Sequence, residues 1–429
     1  MTKLKDKAPK LTEIAEFIHG FKNMKVDAKT LDHIASVTAD TYGTAFSGIK
    51  TDAFKTAFTS RELFFGKGDF EIWGTNKGSS LLGSVFYNAL AISSTDFDEG
   101  HRKAVGHPAS AVVPVSLVLG KSLNKSTDEI LKSVAIGYEI GTRFSMSRVA
   151  EKITTYSTGR WAAIASAATA AYLLGLSSDK ISHSLSNAAV LSPAMLGGST
   201  DVSTGSMSKE GVAWAVQSGL QSALMAKDGF SGPFLFVDAH DDYSIDIFLS
   251  NLGESLLIES NYFKPYACCR WLHSAIKATE EIRDNKEFNL GEIKEIKIFT
   301  FSRALDLVDE KYPDNTVKAQ FHLPFAVALM LVFGRLSPGY FQKNNLGNSS
   351  VLSLIDKITL TAEDKYSDAF PAKLPSRVEI KFSNGKILKK EVLVAPWEYG
   401  FHPSIAELKK KFELQTSGFQ HLEWSSFFN

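Results

Sequence analysis

The spacing of apolar and polar residues changes partway along the chain. Up to about residue 263, apolar positions recur every three or four residues, the period of amphipathic helices. "LTEIAEFIHGF" (11–21) and "LDHIASVTADTYGTAF" (31–46) each predict one such helix. "SSLLGSVFYNALAIS" (79–93) is apolar nearly all round, which predicts a buried helix. "RWAAIASAATAAYLLG" (160–175) is crowded with alanine and serine. Small side chains let helices approach closely, so this segment is expected in the core, with Gly175 at its C-terminal cap. "SSDKISHSLSNAAVLS" (177–192) begins with serines suited to an N-cap. "SMSKEGVAWAVQSGLQSALMAKDGF" (206–230) predicts a further long helix, opened by Lys209 and ended by Gly229.

From residue 264 onward the pattern alternates. "EIKEIKIFTF" (292–301) and "KITLTAED" (357–364) have the period of two that marks a half-buried strand. "SRVEIKFSNGKILKKEVLV" (376–394) reads as two strands around Asn384-Gly385, a strong hairpin signal. Helices are expected between these strands at 273–285 and 319–333. "PSIAELKKKFELQ" (403–415) returns to the helical period, with Pro403 near its start. The fold class is therefore mainly α. A large all-helical domain over 1–263, completed by 396–429, is joined to a smaller α+β domain over 264–395. No tandem repeat or low-complexity tract interrupts this division.

Composition narrows the function classes. The 429-residue length suits two domains. Apolar residues at 44% and charged residues at 22% fit a globular enzyme. The 47 basic and 47 acidic residues cancel, so no global field points to nucleic acid or an anionic membrane. The start "MTKLKDKAPKLTE" lacks the apolar stretch of a signal peptide. No apolar run reaches the roughly 18 residues of a membrane span. The two cysteines, Cys268 and Cys269, are adjacent and make no disulfide framework. These features predict a cytoplasmic protein.

Three stretches carry candidate chemistry. "DFDEGHRKAVGHPASAVVP" (96–114) gathers acids with His101 and His107 ahead of an apolar helix. The histidines are six apart and lack the spacing of a helical metal pair, so no metal is expected. Two readings remain open: a polar loop capping the next helix, or acid–base chemistry at His107 tuned by its carboxylates. Lys209 follows a Gly/Ser/Thr loop at an expected helix N-terminus, where the dipole disfavours a cation and favours an anion. It is either a solvated first-turn lysine or part of a carboxylate pocket. "FKPYACCRWLHSA" (263–275) places Lys264, Arg270 and His273 at the domain boundary. A guanidinium there can grip a carboxylate, or the segment is a solvated basic linker. The cysteines are expected to pack. No phosphate loop, nucleophile elbow or dinucleotide fingerprint is present.

Taken in order, "NALAISSTDFDEGH", "GHPASAVVPVSL", "GYEIGTRF", "STGRWAAIASAATAAYLLGLSSDKI", "GSMSKEGVAWAVQSGLQSALMAKDGFSGP", "KPYACCRWLHSAIKA", "AQFHLPFAVALML" and "HPSIAELKKKF" resemble the MmgE/PrpD family along nearly the whole chain. That family includes 2-methylcitrate dehydratase, cis-aconitate decarboxylase and iminodisuccinate epimerase. The resemblance implies an all-helical domain with an α+β lid, a homodimer, no organic cofactor, and a site between helical domain and lid. It implies catalytic roles for Asp96, His107, Lys209 and His273, with Tyr156 as a hydrogen-bond donor or acid. Arg270, Lys264, His101 and Glu99 follow as substrate contacts. The chain also departs from the family pattern. Glu99 and Gly100 stand where a second Asp and a Thr-like residue are usual, and one extra residue precedes His107. Tyr156 replaces a histidine before Thr158-Gly159, and Phe325, near an atypical His322, replaces a tyrosine. The expected activity is that of a lyase, a dehydratase or decarboxylase, on a small di- or tricarboxylic acid. In that reading Lys209, Arg270 and His273 hold carboxylates, while His107, oriented by Asp96, moves a proton. The alternatives are an isomerase or epimerase, and a non-catalytic carboxylate-binding protein.

Overall fold

The computed structural model describes residues 4–153, 157–193, 205–239, 241–419 and 422–428, and Tyr156 lies outside them. The longer helices of the first part are α1 (Pro9–Gly20), α2 (Ala28–Gly48), α3 (Leu81–Ser93), α4 (Pro108–Ser122), α5 (Thr127–Met146), α6 (Ala162–Leu173), α7 (Ser178–Val190) and α8 (Val212–Lys227). Their positions follow the apolar periodicity. The alanine-rich α6 is the centre of the packing, touching α4, α5, α7 and α8. Gly219 of α8 shows why small residues are used there. A methyl group on it would come within 2.6 Å of Ser166 Cβ on α6, so side chains larger than hydrogen would push the helices apart. Gly175 (φ +63°) ends α6 as expected, with Leu176 N–H donating to Ala171 O.

Two hydrophobic cores result. One is built from α1–α8 and the C-terminal residues Leu408, Phe412 and Trp424. The second is built from residues between Tyr266 and Phe382. Phe97 belongs to this second core, although its chain neighbours lie in the helical part. The second part has the expected strands β1 (Ile293–Thr300), β2 (Ile358–Ala362), β3 (Ser376–Phe382) and β4 (Ile387–Val392). They form one sheet in the order β2-β1-β3-β4, with β1–β2 parallel and the other pairs antiparallel. A helix over His273–Arg283 packs on β3 and β4. The C-terminal helix, Ile405–Gln415, packs back on α2, and Ser404 and Glu407 form a reciprocal capping box at its start. No helix among the described residues is long and apolar enough to cross a membrane.

Three local expectations are corrected. Lys209 does not open α8, which begins at Val212. Glu210 (φ +63°) and Gly211 (φ +59°) are both left-handed, so Lys209 sits on a turn ahead of the helix. The helix expected over 319–333 is split into Thr316–Phe321 and Leu323–Phe333. His322 takes an extended conformation between them, and its Nδ1 accepts from Phe325 N–H, capping the second helix (3.1 Å). Ser177 occupies the N-cap position of α7, but its side chain accepts no capping hydrogen bond.

Candidate active site

The loop between α3 and α4 runs through Asp96, Asp98, Glu99 and His107, all buried. Its shape is set by contacts at both ends. Asp96 is left-handed (φ +49°), which turns its carboxylate inward. Gly100 pairs with Tyr262 through Gly100 N–H to Tyr262 O (3.0 Å) and Tyr262 N–H to Gly100 O (2.8 Å). Lys411 of the C-terminal helix donates to Phe97 O (2.7 Å) and pairs with the fully buried Asp40 of α2 (2.8 Å). Pro108 begins α4 directly after His107, which fixes the imidazole at the mouth of that helix.

His107 lies between groups of opposite character. Its Nδ1 faces two acceptors, Glu99 O at 2.8 Å and Asp98 Oδ2 at 3.2 Å. Its Nε2 faces the Lys209 ammonium at 3.0 Å. In the neutral ring the proton therefore sits on Nδ1, and Nε2 is the basic atom. Burial opposes the charged form, but the Asp98 carboxylate outweighs it and raises the His107 pKa above the ordinary histidine value. The orientation expected of Asp96 thus falls to Asp98, which faces Nδ1. Asp96 Oδ1 lies 3.4 Å from Nε2.

Asp96 instead holds the two lysines. Lys209 Nζ donates to its Oδ1, and Lys264 Nζ donates to the same oxygen (2.6 Å) and to Asp96 O (3.1 Å). Burial alone would raise the Asp96 pKa, but Lys209 and Lys264 keep it well below the usual carboxylate range. The Asp96 and Glu210 carboxylates likewise overcome burial at Lys209 and keep it an ammonium ion. Glu210 accepts from Thr158 N–H (3.0 Å) and from the Thr158 hydroxyl, with its other oxygen 3.4 Å from Lys209. Thr158 Oγ1 also accepts from His107 N–H (3.1 Å), which ties this turn to α4. Asp96, Asp98 and His107 bring three metal-ligand atoms within 4.8 Å of one another. Two ammonium groups already lie against Asp96, so a metal cation there would face strong like-charge repulsion. The electrostatics of the cluster suit proton transfer.

The remaining expected residues have different surroundings. Glu99 Oε1 accepts from Ala109 N–H (2.8 Å), capping α4, and Oε2 accepts from the Tyr138 hydroxyl (2.9 Å). The loop therefore caps α4, through Glu99 rather than through its aspartates. Burial pushes Glu99 up to about 7. His101 bonds Ser260 Oγ (2.9 Å) and caps Ala104 N–H (3.2 Å), and burial depresses it to about 3. Both side chains are thus used within the protein. Arg270 donates to Pro396 O (2.7 Å), Ala395 O (3.3 Å) and Glu398 (3.2 Å), and its guanidinium lies 4.9 Å over the Tyr262 ring. His273 Nδ1 accepts from Arg270 and its Nε2 donates to Cys268 O (each 3.1 Å), and burial holds it neutral. Neither residue is bonded to the His107 cluster. Cys268 and Cys269 are free thiols whose pKa is raised by burial, so neither is a ready thiolate.

The sequence pattern missed Asp98, Glu210, Thr158 and the Asp40–Lys411 pair. The available signal for Asp98 was its place in the same acidic stretch, two residues after Asp96. Nothing local marks Lys411, whose partner is hundreds of residues earlier.

Residues 12–248 match the MmgE/PrpD N-terminal domain and residues 266–422 the MmgE/PrpD C-terminal domain. The chain is 22% identical to the cis-aconitate decarboxylase-like protein oryM of Aspergillus oryzae, across 93% of this chain and 89% of that protein. It is 20% identical to a cis-aconitate decarboxylase of Aspergillus terreus, across 88% of this chain and 84% of the relative. With both domain patterns matched in order over most of its length, the chain belongs to the MmgE/PrpD family.

Proposed function

We propose that this protein is a cofactor-independent lyase that decarboxylates or dehydrates a small di- or tricarboxylic acid of the cis-aconitate or 2-methylcitrate type. The observation that carries the proposal is the setting of His107, with an acidic partner at Nδ1 and a cationic one at Nε2. Each lysine ammonium has three hydrogens. Lys209 and Lys264 can therefore hold Asp96 and still offer donors to a substrate carboxylate. The same two charges would stabilise the enolate-like oxygen that develops as a bond at the neighbouring carbon breaks. His107 Nε2 would move the proton. In a dehydration it takes the proton next to the carboxylate, and the hydroxyl leaves as water with the proton the imidazolium then gives back. In a decarboxylation carbon dioxide leaves, and the imidazolium returns a proton to the carbanion. In both, Asp98 stabilises the imidazolium. The cis-aconitate decarboxylase relatives favour the decarboxylation branch.

The test is proton NMR of the protein in deuterated water with cis-aconitate, citrate, 2-methylcitrate and iminodisuccinate. Loss of carbon dioxide or water from one of them supports the lyase. Deuterium uptake without either loss would replace it with an isomerase. Ligand-induced stabilisation without any exchange or turnover would mark a non-catalytic binder.

A further inference from the structure

Gly100 and Tyr262 form a matched pair. Gly100 is absent from the left-handed positions, so conformational freedom does not explain its glycine. Space does. A methyl group there would sit 2.5 Å from Tyr262 Cζ and closer still to the hydroxyl oxygen. No real side chain tolerates that approach. The backbones of the two residues are bonded in both directions, so the ring cannot simply slide away. Arg270 covers the ring face. Tyr262 is 7% exposed, and its hydroxyl, which has no hydrogen bond among the described residues, is not one of the fully enclosed polar atoms, so it borders open space. Arg270, Asp96, Glu398 and Glu99 all lie close enough to act on it electrostatically. Lys264, two residues on, is bonded to Asp96.

From this arrangement we infer that the Tyr262 hydroxyl is a substrate-contacting donor of this site, and that Gly100 is glycine in order to admit it. The hydroxyl stands where a longer side chain at position 100 would project. It donates a hydrogen bond to the substrate oxygen on which negative charge grows. Burial keeps the phenol protonated and able to donate. The inference rests on the lyase reading and deepens it.

Tyr262→Phe tests it, because a merely structural tyrosine has no bond to lose at its hydroxyl. The assay is steady-state kinetics on whichever of the four acids the wild type converts, with denaturant unfolding alongside. Expected is an unchanged unfolding midpoint and a kcat lower by roughly 10²–10³-fold, the usual effect of deleting one such donor, with little change in KM. Gly100→Ala, which displaces the ring, should also lower kcat, and by no more than the ring's loss in Tyr262→Ala. A Tyr262→Phe protein with wild-type kcat overturns the inference and leaves the lyase reading intact. A wild type that converts none of the acids overturns the lyase reading, and the inference with it.

Discussion

Replacing Glu99 with glutamine should make the protein more stable at pH 8 and change little at pH 4. The Glu99 carboxyl is fully buried, with one oxygen on Ala109 N–H and the other on the Tyr138 hydroxyl. Burial raises its pKa from the ordinary 4.5 to about 7. The folded state therefore binds this proton more tightly than the unfolded chain. Its stabilising effect is complete below the unfolded value and is lost as pH rises through the folded one. The displacement corresponds to roughly 3 kcal/mol of stability lost between about pH 4.5 and pH 7. Glutamine fits the same contacts, its carbonyl accepting from Ala109 N–H and its amide donating to Tyr138, and it has no charge to desolvate. Urea unfolding of both proteins from pH 4 to pH 8.5 reads the effect. The variant's advantage should grow across that window to roughly 2–4 kcal/mol and then level off. A difference that stays flat with pH would refute the reasoning, since it would mean Glu99 ionises in the folded protein as it does in water.

Other expectations follow from the buried charges. Lys209→Met should lower kcat/KM by roughly 10²–10⁴-fold on any acid the protein converts, because both the carboxylate donor and the group facing His107 Nε2 are lost. Lys411→Met leaves Asp40 buried without its cation and should destabilise by roughly 3–5 kcal/mol in denaturant unfolding, a loss partly recovered by adding Asp40→Asn. Asp98→Asn should lower the His107 pKa, read by imidazole NMR titration, and move the acid limb of kcat/KM to lower pH. Incubation with a chelator should leave turnover unchanged, since ammonium groups occupy the position a metal would take beside Asp96.

Most elements were readable from short-range pattern. The amphipathic helices, the alanine-rich centre and the Asn384-Gly385 hairpin each depend on a few neighbouring residues, and each formed where the period placed it. The failures share one cause. Lys209 sits on a turn because Glu210 is left-handed, and the turn is held by bonds from Thr158, far away in sequence, to the Glu210 carboxylate. His322 breaks a helical run because it caps the next helix while bonding Glu310 O (3.0 Å). Among the site residues, His107, Lys209, Lys264 and Asp96 come together as expected, yet the division of labour between Asp96 and Asp98 is set by three-dimensional contacts alone. Arg270 and His273, adjacent to Lys264 in sequence, turn toward Glu398 and Cys268 instead. Their charge and spacing suggested a ligand site, and only the folded chain shows the partners.

The central claim is that His107 moves a proton on a small carboxylic acid. Its most direct test compares wild type with His107→Asn, both shown to be folded, by proton NMR in deuterated water with cis-aconitate and the three related acids. The account predicts conversion by the wild type, with deuterium on a product carbon if carbon dioxide is lost and disappearance of the proton beside the carboxylate if water is lost, and neither in the variant. Equal conversion and equal deuterium uptake by the two proteins would contradict it.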